Sequence, residues 1–209
     1  MKRRYIKKFT WLSCLSLGLL ILYFNLKTPL RTIPKEIQEE TSIALSYFKD
    51  LKDIPIEFKF KKNIKKSVMM AQPTFSSLFR PRSKRAYVIL ISEKFKINNQ
   101  KFKTTDVPKD VLIGWLGHEL GHVMDYQEKN NWQMIVFGIR YVLFKEHVKS
   151  AERSADSLAV ANGMAPYILK TKDFILNNAA IDQVYKNRIK QYYLSPEEIR
   201  ELVKELGKD

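Results

Sequence analysis

Three observations predict an α+β fold in which an N-terminal helix and a small antiparallel sheet pack on a mainly helical remainder. Segments with strand period and strand propensity occur only between residues 56 and 92. From residue 107 the apolar spacing is helical almost to the end. The chain has 209 residues, is 45% hydrophobic and shows no internal repeat, which leaves room for one domain of ordinary size.

Residues 34–51 carry apolar side chains at helical spacing behind Pro34 and early glutamates, and form the first helix. Pro55 interrupts it. Ile56, Phe58 and Phe60 then alternate with Glu57, Lys59 and Lys61, a strand with one wet face, and residues 68–71 suggest a second short strand. The turn-rich, basic stretch 72–85 reads as an irregular loop, and AYVILIS over 86–92 is the strongest strand signal in the chain. A polar connection leads to Pro108. Helices are expected at 107–128, 132–144, 146–162, 166–178, 181–193 and 195–206. Gly163 follows Asn162 as a helix stop, while Ser195, Pro196 and Glu198 form a capping start for the last helix.

Residues 9–26 stand apart as an 18-residue uncharged run, strongly apolar between Trp11 and Phe24 and preceded by five basic residues. No small-residue cleavage signature follows it, and most of the run lies after Cys14, against a lipoprotein signal. The expectation is an uncleaved single-pass membrane anchor with its tail in the cytoplasm. Residues 1–31 would be basic tail and anchor, and residues 32–209 a folded domain on the extracytoplasmic side of the cytoplasmic membrane. Met1 to Arg31 holds seven basic residues and no acidic one, leaving 30 basic against 22 acidic in the remainder. That modest excess, without a dense basic helix or zinc-finger spacing, argues against nucleic acid as partner. The single cysteine, Cys14, excludes an intramolecular disulfide.

The chemistry lies in His118-Glu119-Leu120-Gly121-His122. Histidines four apart project from one helix face and can touch one ion, while Glu119, turned slightly round the helix, can act on a water held by that ion. Zinc suits two neutral imidazoles and leaves a position open for water. A third ligand is available downstream at Glu152, and Asp156, four residues later on the same face, can accept the proton of the non-ligating nitrogen of a zinc-bound histidine. Ala151, Ala155, Ala159 and Ala161 permit that helix a close approach, and Gly117 and Gly121, poor helix formers, also point to close packing. Such strings do arise by chance. Here, two of only three histidines occupy the motif on an apolar helix, where burial without a metal would carry a desolvation cost.

HELGH followed, after a helical insert, by AERSADSLAVANG resembles the gluzincin class of zinc metallopeptidases. Within that class the likeness is greatest to the membrane-associated prenyl-protein and heat-shock endopeptidases, whose second helix carries Glu-x-x-x-Asp. The resemblance covers residues 107–163 and implies a zincin-like core. It also implies one Zn²⁺ bound by His118, His122 and Glu152, Glu119 as general base, and Asp156 as partner of the first histidine. It makes strand 86–92 the edge along which an extended peptide or protein substrate would lie. This chain has one candidate span where those proteases have several. Besides zinc, a tetrahedral oxyanion needs one more donor. Candidates are His147 and Tyr167, with Arg153, Tyr126 and Tyr141 also in the right part of the sequence.

The apolar insert 132–144 is too short to span a membrane and reads either as a core helix bridging the two motif helices or as an interfacial one. A zinc endopeptidase is the leading function. A scaffold retaining the zinc, or an amidase acting on the cell envelope, would share the ligand set.

Overall fold

The computed structural model describes residues 30–207, apart from 63, 65, 66, 98, 99, 179 and 180. The run at 9–26, expected to be a membrane anchor, lies outside the described residues. Among the described residues no helix is long and apolar enough to cross a membrane.

The protein is a mixed α+β structure, mostly helical, with one small sheet and a separate hairpin. Strand β1 (Arg31–Thr32) is short, and helix α1 (Gln38–Tyr47) follows it, flanked by 3-10 turns at Lys35–Ile37 and Lys49–Leu51. The continuous first helix expected over 34–51 is therefore broken at both ends. Strand β2 (Ile56–Lys61) alternates as expected, with Ile56 and Phe58 inward. Strands β3 (Met69–Pro73) and β4 (Tyr87–Ser92) complete the sheet in the order β1-β2-β4-β3.

This sheet is mixed, which corrects the antiparallel expectation. β1, β2 and β4 run parallel, and only β3 runs antiparallel, on the edge beside β4. The physical reason is the connection: α1 carries the chain back between β1 and β2, as parallel neighbours require. Apolar period cannot report strand direction. Strand β4 is central, which accounts for the nearly continuous apolar YVILIS and its burial on both faces. The polar connection read after residue 92 contains a two-stranded antiparallel hairpin, β5 (Lys94–Ile97) and β6 (Gln100–Lys103).

Helix α2 (Lys109–Gln127) is the central element, packed against β3, α1 and two later helices. Every residue from Val111 to Val123 is buried, the mark of a helix covered all round. Helix α3 (Asn131–Leu143) starts at a capping box made by Asn130 and Gln133. It buries Met134 and Phe137 on one face and exposes Trp132, Ile135, Ile139 and Val142 on the other, so it is neither wholly core nor wholly surface. Helices α4 (Lys145–Ala161), α5 (Ala165–Asn177), α6 (Gln183–Tyr192) and α7 (Pro196–Glu205) follow. The α4 stop uses Gly163 at φ 90°, and the expected Ser195–Glu198 capping box opens α7.

Backbone contact between α2 and α4 is made at Gly121. A Cβ there would run into the carbonyl oxygen of Ala155, whereas one at Gly138, on the exposed side of α3, would meet nothing. Gly121→Ala is therefore expected to destabilise the fold by about 1–3 kcal/mol or more, because backbone must move. Gly138→Ala is expected to stabilise it by about 0.5–1 kcal/mol through helix propensity. Urea unfolding of the two variants beside wild type checks both signs.

Candidate metal centre

Helix α2 carries His118 and His122 one turn apart, with ring centroids 4.8 Å from each other. Helix α4 crosses at the Gly121–Ala155 contact and brings Glu152 to them. Its Oε2 stands 3.1 Å from His118 Nε2 and 3.3 Å from His122 Nε2. All three residues are buried, and one ligand atom from each lies within 4.8 Å of the others.

The donor set fits zinc. Ligands placed tetrahedrally at roughly 2.0–2.1 Å from an ion stand about 3.3 Å from one another. A charge-assisted hydrogen bond would instead close to about 2.7–2.9 Å. The two nitrogens converge on one carboxylate oxygen at 3.1 and 3.3 Å, a spacing compatible with a shared ion and also with hydrogen bonding.

Around this cluster each charge has a partner. Asp156 Oδ1 accepts from His118 Nδ1 at 2.8 Å, and its Oδ2 accepts from Lys172 Nζ at 2.8 Å and from the Leu194 backbone N–H at 3.0 Å. The first bond orients the His118 ring so that Nε2 faces Glu152. Burial would raise the Asp156 pKa, but Lys172 and His118 overcome it and hold the carboxyl at about 2. Burial likewise opposes charge on His118, yet Asp156 and Glu152 take the imidazole up to about 10. Glu152 is held well below the usual carboxylate range, against burial, by the two histidines. Its Oε1 accepts from Tyr141 Oη, on α3, at 2.5 Å.

Glu119 is held differently. Its Oε2 accepts the Ala71 backbone N–H at 2.6 Å, and burial raises its pKa against the pull of His122 and His118. Ala71 belongs to β3, so the strand beside the cluster is β3. That corrects the expectation that residues 86–92 form the edge: β4 lies inside the sheet. Tyr126 Oη donates to the Ala71 carbonyl at 3.4 Å, and its ring stacks on His122. A small pocket opens beside His118 and Glu119, lined also by Met69, Trp115, Tyr185 and Tyr193.

The expected oxyanion donors are mostly elsewhere. Tyr167 packs edge-on against Tyr47 and His147 against Phe137. Arg153 clamps Glu198 of α7 at 2.7 and 3.1 Å. The helices that close the site come from the C-terminal third, and they supply the groups that sequence reasoning missed: Lys172, Tyr185, Arg188, Tyr193 and the Leu194 amide. The Tyr193 ring lies tilted against His118, 5.2 Å between centroids, and Lys172 Nζ sits 4.4 Å from the centre of the Tyr193 ring. Only Lys172 carried a signal, as a lysine on the inward face of α5 between Ile168 and Ile175.

Comparison with protein-family models, with curated proteins and with solved structures finds no match to this chain.

Lys172→Met removes one partner of a buried ion pair and is expected to lower stability at pH 7 by about 3 kcal/mol. The folded carboxyl of Asp156 is depressed, so its contribution is complete above the unfolded value of 3.8 and disappears as pH falls toward about 2. In Lys172→Met that carboxyl titrates higher, and the acid-unfolding midpoint should move up in pH. Chemical denaturation at pH 7 and a circular-dichroism acid titration test the two parts.

Proposed function

We propose that the chain is a zinc-dependent endopeptidase of the gluzincin type, with His118, His122 and Glu152 holding one zinc ion and Glu119 acting as general base. The observation that carries this reading is the separation of roles among four buried groups. Both histidine Nε2 atoms face Glu152, while Glu119 stands beside them, outside the ligand set, one oxygen tied to Ala71. A purely structural ion has no use for that extra carboxylate.

When bound, zinc would lower the pKa of a water and polarise the scissile carbonyl. The remaining work falls to side chains. Glu119, its basicity increased by burial, takes the proton of the attacking water and returns it to the leaving amine. Ala71 N–H fixes one carboxylate oxygen of Glu119, which lines the pocket. Asp156 holds His118 in the tautomer that presents Nε2, and Tyr141 keeps Glu152 from rotating away. An extended peptide would lie in the pocket along the β3 side. Tyr185 and Tyr193, which line the pocket beside His118, are the candidate donors for a developing oxyanion. The apolar run at residues 9–26 would tether this domain to the cytoplasmic membrane, with the domain on the extracytoplasmic side.

Metal analysis of the full chain purified in detergent is expected to give one zinc per chain. Glu152→Ala should abolish stoichiometric binding, and Asp156→Ala should weaken it by about 10–100-fold. A chain that holds no transition metal ends the proposal.

Glu119→Gln separates an enzyme from a scaffold, because the amide keeps size and hydrogen bonding but cannot take the proton. The variant should retain fold and zinc while peptide cleavage, read by mass spectrometry on a diverse peptide pool, falls by about 10²-fold or more. Equal inactivity of wild type and variant toward every peptide would instead favour a zinc-bearing scaffold.

A further inference from the structure

We infer that the end of the sheet carrying the turn at Phe75–Phe79 and the outer face of α3 form a docking surface for an anionic lipid membrane. The argument is independent of the hydrolytic reading.

Phe75 and Phe79 are 79% and 71% exposed and pack edge-on against each other, 5.6 Å between centroids. The turn that bears them packs against α3, whose Trp132, Ile135 and Ile139 are also exposed. Large apolar side chains thus continue from one element to the next, which monomeric surfaces seldom tolerate without a partner. The spacing of Trp132, Ile135, Ile139 and Val142 places them along one face, opposite the buried Met134 and Phe137.

Charge selects the partner. Neither residues 74–85 nor residues 131–143 contain an acidic residue, and Arg82, Lys84 and Arg140 are exposed among the apolar groups. An apolar face bordered by cations is the composition that settles at an anionic headgroup layer.

Strand register supplies the second argument. Arg31 pairs with Ile56, Ile56 with Tyr87, and Tyr87 with Pro73, so one row crosses the sheet at a single end. The Phe75–Phe79 turn leaves from Pro73 at that end. Arg85, just ahead of Tyr87, donates at 2.7 Å to Asn131 Oδ1 and so fixes the start of α3 there. Leu30, exposed at the same end, is joined to the 18-residue uncharged run by residues 27–29. Such a link reaches at most about 14 Å, and three strand spacings of about 4.8 Å separate β1 from β3. The C-terminal end of the apolar run is therefore tethered within that reach of the sheet end from which the Phe75–Phe79 turn leaves.

The test uses the full chain carrying Trp11→Phe, reconstituted in phosphatidylcholine vesicles with or without phosphatidylglycerol. Quenching by lipids brominated near the headgroup end of the acyl chain is read against a second variant that also carries Trp132→Phe. Trp132 should be quenched in the anionic vesicles and less so as salt rises. Arg82→Glu with Lys84→Glu should shift the balance away from lipid contact by about tenfold or more, with circular dichroism unchanged. Unquenched Trp132 in reconstituted wild type overturns the inference. So does photo-crosslinking from position 135 to residues 9–26 or to a second copy in place of lipid, since either would be the occupant instead. If the charge variant misfolds, the salt dependence of wild type decides alone.

Discussion

The approach of α2 and α4 to backbone contact at Gly121 and Ala155 sets the distance on which the site depends. Glu152 has a short side chain beyond its helix, and its Oε2 meets both histidine Nε2 atoms because the two helix axes lie closer than side-chain packing would allow. The alanines along α4 serve the same end. A methyl group at residue 121 would meet the Ala155 carbonyl, so the helices could not keep this approach. The burial of α2 from Val111 to Val123 then holds that geometry, since a helix packed on every side has few ways to shift.

Concentrating so many ionisable groups in the interior carries a large desolvation penalty, which the bonds among His118, Glu152, Asp156 and Lys172 offset in part. Asp156, on α4, satisfies three donors at once and so ties α2, α5 and the connection between α6 and α7 together. This network reaches beyond the residues that touch the candidate ion. Lys172 balances Asp156, Asp156 orients His118, and Tyr141 restrains Glu152. The C-terminal helices are in this sense part of the site, although they contribute no ligand.

Spacing along one helix is legible in the sequence, because 3.6 residues per turn converts a four-residue separation into a shared direction. His118 with His122, and Glu152 with Asp156, are of this kind, and so are the helix stop at Gly163 and the start at Ser195. Contacts between elements are not legible there. Strand order depends on where α1 returns the chain, so neither the parallel pairing of β1, β2 and β4 nor the edge position of β3 can be read from alternation. Ala71 acts through its backbone N–H and leaves no trace in side-chain pattern. The oxyanion candidates come from sequence near the motif. Arg153, one step round from Glu152, faces α7 instead, and the site is closed by Tyr185, Arg188 and Tyr193, which come from far along the chain.

The Tyr141 hydroxyl has a wider consequence through the helix that carries it. Helix α3 is apolar and open on one side and bonded to Glu152 on the other. Any displacement of α3 along or away from α4 alters the grip on Glu152, and with it the free energy of the ion site. Whatever occupies the outer face with different affinity in two positions of α3 must therefore be felt at the ion, and filling the ion site must be felt by that occupant to the same degree. Reciprocal coupling of this sort would join the outer face of α3 to the His118–His122–Glu152 cluster through a single phenol.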